Sequence, residues 1–318
     1  MRKLISYFIK ETLVAFYKIG DKFVVQKQII KNSKILSTED FEFNEEEFLK
    51  FINSCYIENT QTYISTIIDT FNQGCVDSCS HTKYKELGIN IDNIKILCLK
   101  NYSIFIGMYE LNNFIKENEK YKIDYVFSPY LLVDINKKDT KNSIYIFIDE
   151  NFVIVLIYED GIKPKYSNIY QFKVNDESMM TDEVDNSDDI DGVDDLDDID
   201  LVDDIEELDD IEDLDDDIDS IDDINDIAPL EDSSENIKED IKEAKNEIET
   251  LEFVKNCIKD YYEDYSENFL EYGYVLSSEL ISEKFVKTLK DETFLELKSE
   301  TIDVLGLIND LALKELNV

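Results

Sequence analysis

Residues 4–30, LISYFIKETLVAFYKIGDKFVVQKQII, are dominated by apolar and β-branched residues, and KIGDK supplies a turn between Tyr17 and Phe23. The pattern predicts strands near 4–9, 12–18 and 23–30. From about Asn44 the spacing of Phe48, Leu49 and Ile52 turns helical. A strand is expected at 62–71, followed by a polar loop. Buried strands are expected at 94–99 and 103–108, a helix over LNNFIKENEKY, a strand at 123–128 ending at Pro129, and a loop at 136–142. SIYIFIDENFVIVLIYEDGIKPKYSNIYQFKV then opens a second hairpin. Beyond residue 235 come a long helical pattern with Ser234 as its N-cap candidate, the strand FLEYGYVLSS, the helix ELISEKFVKTLKDE, the strand TFLELKS and a closing amphipathic helix. Strands alternating with helices imply an α/β fold.

The two hairpins share a pattern: FIKETLVAFYKIGD and FIDENFVIVLIYEDG both read as buried strand, polar three-residue turn, longer buried strand and Gly-containing turn. Ile9 set against Ile148 gives an expected internal duplication at a separation of about 139 residues.

Between the two patterned parts lies a stretch of different character. Aliphatic residues recur every third position from Ile190 through Leu214, and again from Ile218 through Leu230, among carboxylates. A strict period of three lets an apolar stripe spiral around a helix, and it violates the strand period of two. Acidic residues at i, i+3 and i+4 also repel one another, with no cation to relieve them. The expectation is a solvated, disordered insertion over 176–235, whose regular aliphatics offer docking points to a basic protein surface. Ser187-x-Asp189-x-Asp191-Gly192-x5-Asp198 has the outline of a calcium loop. Its first and last residues depart from the pattern and no helix precedes it, so no metal site is read there.

Charge follows this division. Of the 318 residues, 32 are basic and 74 acidic, for a net charge of −42. Residues 1–175 hold 22 basic and 23 acidic side chains, whereas 182–235 hold 29 acidic and no basic ones. With no basic stripe to neutralise phosphates, nucleic acid is excluded as a partner. The amino-terminal segment shows neither a signal-peptide nor an anchor pattern, and the apolar run Phe152–Tyr158 is too short to span a bilayer. Five scattered cysteines suit reduced thiols. Together these features predict a cytoplasmic chain. Cys75-x3-Cys79-x-His81 lacks the second ligand pair of a structural zinc site, so it reads as a polar loop carrying the single histidine. That lone histidine, and the absence of Gly-x-Ser-x-Gly and His-Glu-x-x-His, leave hydrolytic catalysis without its usual groups. No two of the eight glycines are close enough to build a phosphate loop.

The element order, together with YVFSPYLLVDI before the second hairpin and FVKNCIKDYYEDY…FLEYGYVLSSELISEKFVKTL near the end, resembles the actin-like PilM/GspL family of pilus, competence and type II secretion machines. The resemblance implies an actin-like fold of two duplicated RNase H-like halves. The first would occupy 1–142 and the second 143–175 with 236–318. It places the family's nucleotide positions at Lys10-Glu11-Thr12 for the first phosphate hairpin, Asp149-Glu150-Asn151 for the second, and Ser277-Ser278 for the adenosine-side glycine pair. Each replaces glycine with a bulkier residue, and Glu11 and Glu150 add negative charge beside an anionic ligand. The implication is a pseudo-ATPase with no bound cofactor and no catalytic residue, acting as a scaffold. Its partners would be an inner-membrane bitopic protein, gripped by a short cytoplasmic peptide, and the assembly ATPase, so that the membrane is reached only through a partner. The alternatives are a nucleotide-binding actin-like ATPase and an interaction protein acting through its acidic tract. Deleting 182–235 separates the last of these. If the tract is the active element, co-purification with partners is lost while the circular dichroism of the rest is kept.

Overall fold

The computed structural model describes residues 10–57, 61–138, 142–159, 161–172, 232–264 and 269–316, with side chains in the helix 232–264 from Lys242 onward. The expected strand at 4–9, the calcium-like loop and the acidic tract up to residue 231 lie outside the described residues, while 232–235, expected within the disordered insertion, are the first residues of a helix. Up to Lys173 and from Lys242 onward the chain forms one compact unit.

That unit contains the same pattern twice. β1 (Glu11–Ile19), β2 (Lys22–Lys31) and β3 (Lys34–Phe43) form an antiparallel meander, and β4 (Gln61–Ile67) and β8 (Tyr125–Phe127) add in parallel on the other side of β1, in the order β3-β2-β1-β4-β8. β9 (Ser143–Ile148), β10 (Phe152–Glu159), β11 (Lys163–Gln171), β12 (Tyr272–Ser277) and β13 (Glu296–Thr301) repeat this as β11-β10-β9-β12-β13 with the same directions. The helices repeat as well. α1 (Glu45–Ile57) links β3 to β4, as α5 (Asp232–Asp264) links β11 to β12. α3 (Met108–Glu117) precedes β8, as α6 (Glu283–Thr293) precedes β13. α4 (Tyr130–Asn136) and α7 (Val304–Leu316) close the halves. This duplicated topology is the actin-like fold. A small sheet, β5-β7-β6, is inserted into the first half from β5 (Gln73–Val76), β6 (Ile94–Cys98) and β7 (Ser103–Gly107), with α2 (His81–Glu86) between β5 and β6.

The middle strands are buried on both faces, which is why they read as continuous apolar runs. On β1, Val14 and Phe16 face α1, where Phe23 and Phe48 stack with centroids 4.7 Å apart. Leu13 and Ala15 face the opposite way, into a core shared with Tyr145, Phe147, Phe152 and Ile154 of the second half. On β9 the alternation is Ile144 and Ile146 outward, under α5 and α6, and Tyr145 and Phe147 inward. The closing helices lock the shared core: α4 packs on β10 and on α7, and α7 packs on β1, β2 and β4. Buried Asn309 of α7 donates from Nδ2 to the carbonyl and Oε1 of Gln26 on β2, at 3.3 Å each. Gln26 in turn donates to Asp40 at 3.0 Å and to Asp303 at 3.3 Å.

Local chemistry explains most of the ends. Asn44 and Glu47 cap α1 reciprocally: the Glu47 amide donates to Asn44 Oδ1 at 3.0 Å, and the Asn44 amide to Glu47 Oε2 at 3.2 Å. Ser282 caps α6 by accepting from the Phe285 amide. α5 begins at Asp232, ahead of Ser234.

Four elements depart from the sequence pattern, one of them α2, a helix that opens at His81 where a polar loop is expected. β3 is an edge strand whose side chains are mostly exposed, so no apolar alternation marks it. It enters through Asn32 and Ser33, with φ of 54° and 59°, a primed turn without the usual glycine. β5 falls where a loop is expected, being four residues long. α4 starts at the proline that ends the strand before it, and its seven residues are too few to show a period.

Truncating α7 tests the locking role. Ile308 is fully buried in the shared core, and Ile308→Ala is expected to cost about 2–5 kcal/mol in urea denaturation. The exposed Lys314→Ala is expected to change stability by less than about 0.5 kcal/mol.

Candidate functional site

In open α/β sheets, ligand sites form beyond the carboxyl ends of the parallel strands. Here those ends meet along the junction of the two halves. β1 ends in the two-residue turn Gly20-Asp21, with Gly20 at φ 55°, as the first position of a II′ hairpin requires. β9 ends in Asp149-Glu150-Asn151 and β12 in Ser277-Ser278. Asp69 follows β4, and Asp303 follows β13.

The structure therefore brings together two of the three sequence-derived sets. Ser277 pairs with Ile148 across the parallel ladder, the Ser278 amide donates to the Ile148 carbonyl at 3.3 Å, and the Ser277 hydroxyl accepts from the Glu279 amide at 3.1 Å. The third set is corrected. Glu11 and Thr12 are the first residues of β1, paired with Ile30 and Ile29 on β2 and with Gln61 and Thr62 on β4, and Thr12 is fully buried. Exposed Lys10 immediately precedes them. These three residues sit at the opposite end of β1 from the junction. The polar break they make in the apolar run imitates a turn, but the strand continues through to Ile19. The structural counterpart of Ile148 is thus Ile19, not Ile9, and the duplication has a separation of 129 residues.

The two hairpin tips touch. Asn151 Nδ2 donates to the Lys18 carbonyl at 3.1 Å, while its own amide donates to Asp149 Oδ1 at 3.4 Å. Glu150 pairs with Lys242 of α5 at 2.8 Å. Asp149 is only 4% exposed, and its Oδ2 is buried without a hydrogen-bond partner. Burial pushes its carboxyl up to about 6, with Asp69 and Glu150 raising it further, while the Ser278 hydroxyl and the Asn151 amide pull it back. Burial raises Asp69 as well. Tyr17, on β1, has its phenol raised well above the ordinary range by burial and then by Asp149, Glu279, Glu150 and Asp303. Sequence reasoning missed Tyr17, Asp69, Glu279 and Asp303. Only the strand order puts them at one junction.

These groups do not fit a nucleoside triphosphate. Four carboxylates crowd the same junction around Tyr17, the second hairpin lacks the glycine that would let backbone amides approach a polyphosphate, and the tips are already joined through Asn151. Among the described residues, no group of three His, Cys, Asp or Glu side chains is arranged to hold a metal ion.

A second feature lies in the first half, where a cavity of about 570 Å³ opens between the small sheet, α3 and β8. Leu97, Ile106, Leu111, Ile115, Tyr125 and Phe127 supply its apolar lining, and Lys95 and Lys122 stand with Glu119 and Asp124 among its polar groups. Leu97 and Ile115 are both about half exposed there, at 47% and 49%. β8 is the outermost strand of its sheet and forms part of the wall. Among the described residues, no helix is long and apolar enough to cross a membrane.

The buried Asp149 gives a signed pH dependence. Its folded value of about 6 lies above the unfolded value near 3.9, so its stabilising effect is complete below about pH 4 and is lost as pH rises through 6. The cost at pH 7 is about 3 kcal/mol. Asp149→Asn is expected to raise the melting temperature at pH 7 and to flatten its slope between pH 4 and 7, as read by scanning calorimetry.

Residues 8–134 match a family described as a domain of unknown function (DUF8569), and residues 144–317 match a second, described as a domain of unknown function (DUF8341). No curated protein matches the chain. Among solved structures, it is similar to a Bacteroides thetaiotaomicron protein with an actin-like ATPase fold and unknown function, at 10% identity over 96% of each chain with a TM-score of 0.46. It is also similar to the PilM–PilN type IV pilus biogenesis complex, at 8% identity over 96% of this chain and 95% of that one, TM-score 0.49. A third is the activator of 2-hydroxyisocaproyl-CoA dehydratase from Clostridium difficile with bound ADPNP, at 9% identity over 97% and 95%, TM-score 0.35. The second family match spans more than half of the sequence, and the chain belongs to the family of the domain of unknown function DUF8341.

Proposed function

We propose that this chain is a non-enzymatic, actin-like scaffold that docks a short cytoplasmic peptide of a membrane-bound partner in the cavity of its first half. The observation that carries this reading is the cavity itself. Its size of about 570 Å³ falls within the roughly 300–1,000 Å³ range of ligand sites, and its lining is mainly apolar with a few charged groups at hand. The edge of β8 beside it offers backbone groups to an extended segment, whose alternate side chains would enter the cavity. The crowding of carboxylates at the hairpin tips supports the non-enzymatic part of the reading. The partner class comes from the family resemblance in the sequence. It is an inner-membrane bitopic protein of a pilus, competence or type II secretion machine, with the assembly ATPase as a second contact and the acidic tract meeting a basic surface. The protein would then be peripheral to the inner membrane.

Two measurements test it. Leu97→Asp and Ile115→Asp put charge into the cavity at half-exposed positions. Each is expected to lower the fraction of the chain recovered with the membranes of its own cells by about ten-fold, with the melting temperature unchanged. Undiminished recovery would sink the docking reading. Calorimetric titration of the full chain with ATP and Mg²⁺ is expected to give no binding heat. Micromolar affinity would replace the scaffold with a nucleotide-driven switch.

A further inference from the structure

Cys79 and Cys98 take part in neither the junction nor the cavity, yet the inserted sheet brings them together. Cys98 is the last residue of β6, opposite Ser103 on β7. Cys79 lies beyond β5, in the loop that leads into α2, and it turns back over the end of the β6–β7 hairpin. Its Sγ lies 3.7 Å from the Tyr102 carbonyl oxygen and 4.0 Å from that of Leu99, the two residues that close that hairpin through the Leu99 amide at 2.8 Å. Cys98 immediately precedes Leu99, whose carbonyl oxygen the Cys79 Sγ approaches, so the two cysteines sit at the same end of the hairpin, and both are exposed.

The loop carrying Cys79 is held in place independently of the thiols. The Ser103 hydroxyl donates to the Ser78 carbonyl at 2.6 Å, the Ser80 amide donates to the Ser78 hydroxyl at 3.0 Å, and Ser80 caps α2. The remaining cysteines differ. Cys55 and Cys257 are buried in the two outer cores, and burial raises the Cys75 thiol well above its ordinary range. Two solvent-facing thiols at one hairpin end, on backbone that is already positioned, have the proximity that a cross-link requires and that scattered cysteines lack.

We propose that Cys79 and Cys98 are a reversible dithiol–disulfide pair, closed by exchange with a low-molecular-weight disulfide such as oxidised glutathione. The thiolate of one cysteine attacks a glutathione sulfur, breaking that S–S bond, releasing one glutathione thiolate and leaving a mixed disulfide. The second cysteine, as its thiolate, attacks the protein sulfur of the mixed disulfide and expels the other glutathione. The two protons lost by the protein end on the two glutathione thiols. The protein gives up two electrons and the oxidant gains them. Closure ties the Asp77–Ser80 loop to the end of β6, the strand that carries Lys95 and Leu97 into the cavity wall, and so braces that wall.

The test equilibrates the full chain in glutathione buffers of increasing oxidised fraction, alkylates free thiols and maps peptides by fragment mass spectrometry. Alkylation at Cys79 and Cys98 is expected to disappear together with the appearance of a cross-linked peptide, while Cys55, Cys75 and Cys257 remain alkylatable after denaturation. In Cys98→Ser, Cys79 is expected to appear only as the glutathione adduct, at about ten-fold higher oxidised glutathione. Separate glutathione adducts on both residues of the unaltered chain, or a bond from Cys79 to Cys75 or to a second chain, would overturn the assignment.

Discussion

Everything in this fold depends on the apolar layer between its two sheets. β1 and β9 are each covered on both faces, so neither half can be removed without exposing one face of the other's central strands to water. The closing helices make the dependence mutual, because α4 follows the first sheet and packs on the second, while α7 follows the second and packs on the first. The network from Asn309 through Gln26 to Asp40 and Asp303 fixes the register of that exchange, since the amides of Asn309 and Gln26 are buried where water can no longer satisfy them, while the two carboxylates lie at the surface.

The same layer decides the character of the junction. Bringing the carboxyl ends of β1, β4, β9 and β12 side by side gathers Tyr17, Asp69, Asp149 and Ser277, which are far apart in sequence, into a partly dry and acidic place. A polyphosphate there would meet like charge without the glycine-lined amides that normally receive it. The apolar opening lies elsewhere, against the inserted sheet.

The inserted sheet is where the fold departs from its own duplication, having no counterpart among the described residues of the second half. It walls the cavity through β6 and β7 and holds the paired thiols at its end. Its own residues Tyr102 and Ile104 are buried in the shared core, so the cavity and the thiols stand on an element that is anchored to both halves.

The middle strands were legible in the sequence because burial on both faces writes an unbroken apolar run, as in Phe152–Tyr158, and α1 was legible because Phe48, Leu49 and Ile52 recur at helical spacing. β3 was not, since an edge strand in water carries no alternation and its Asn32-Ser33 turn lacks glycine. The family resemblance implied two duplicated halves and named Asp149-Glu150-Asn151 and Ser277-Ser278, which the strand order then brings side by side. It could not place the first hairpin, because a polar break at Lys10-Glu11-Thr12 looks the same whether a strand turns there or begins there. Local sequence determines which segments extend, coil and turn, since those preferences act over a few residues. Which carboxylates share a junction, which thiols come to one hairpin end and where a cavity opens were decided only by tertiary packing, which brings together residues that local preferences acting over a few positions cannot relate.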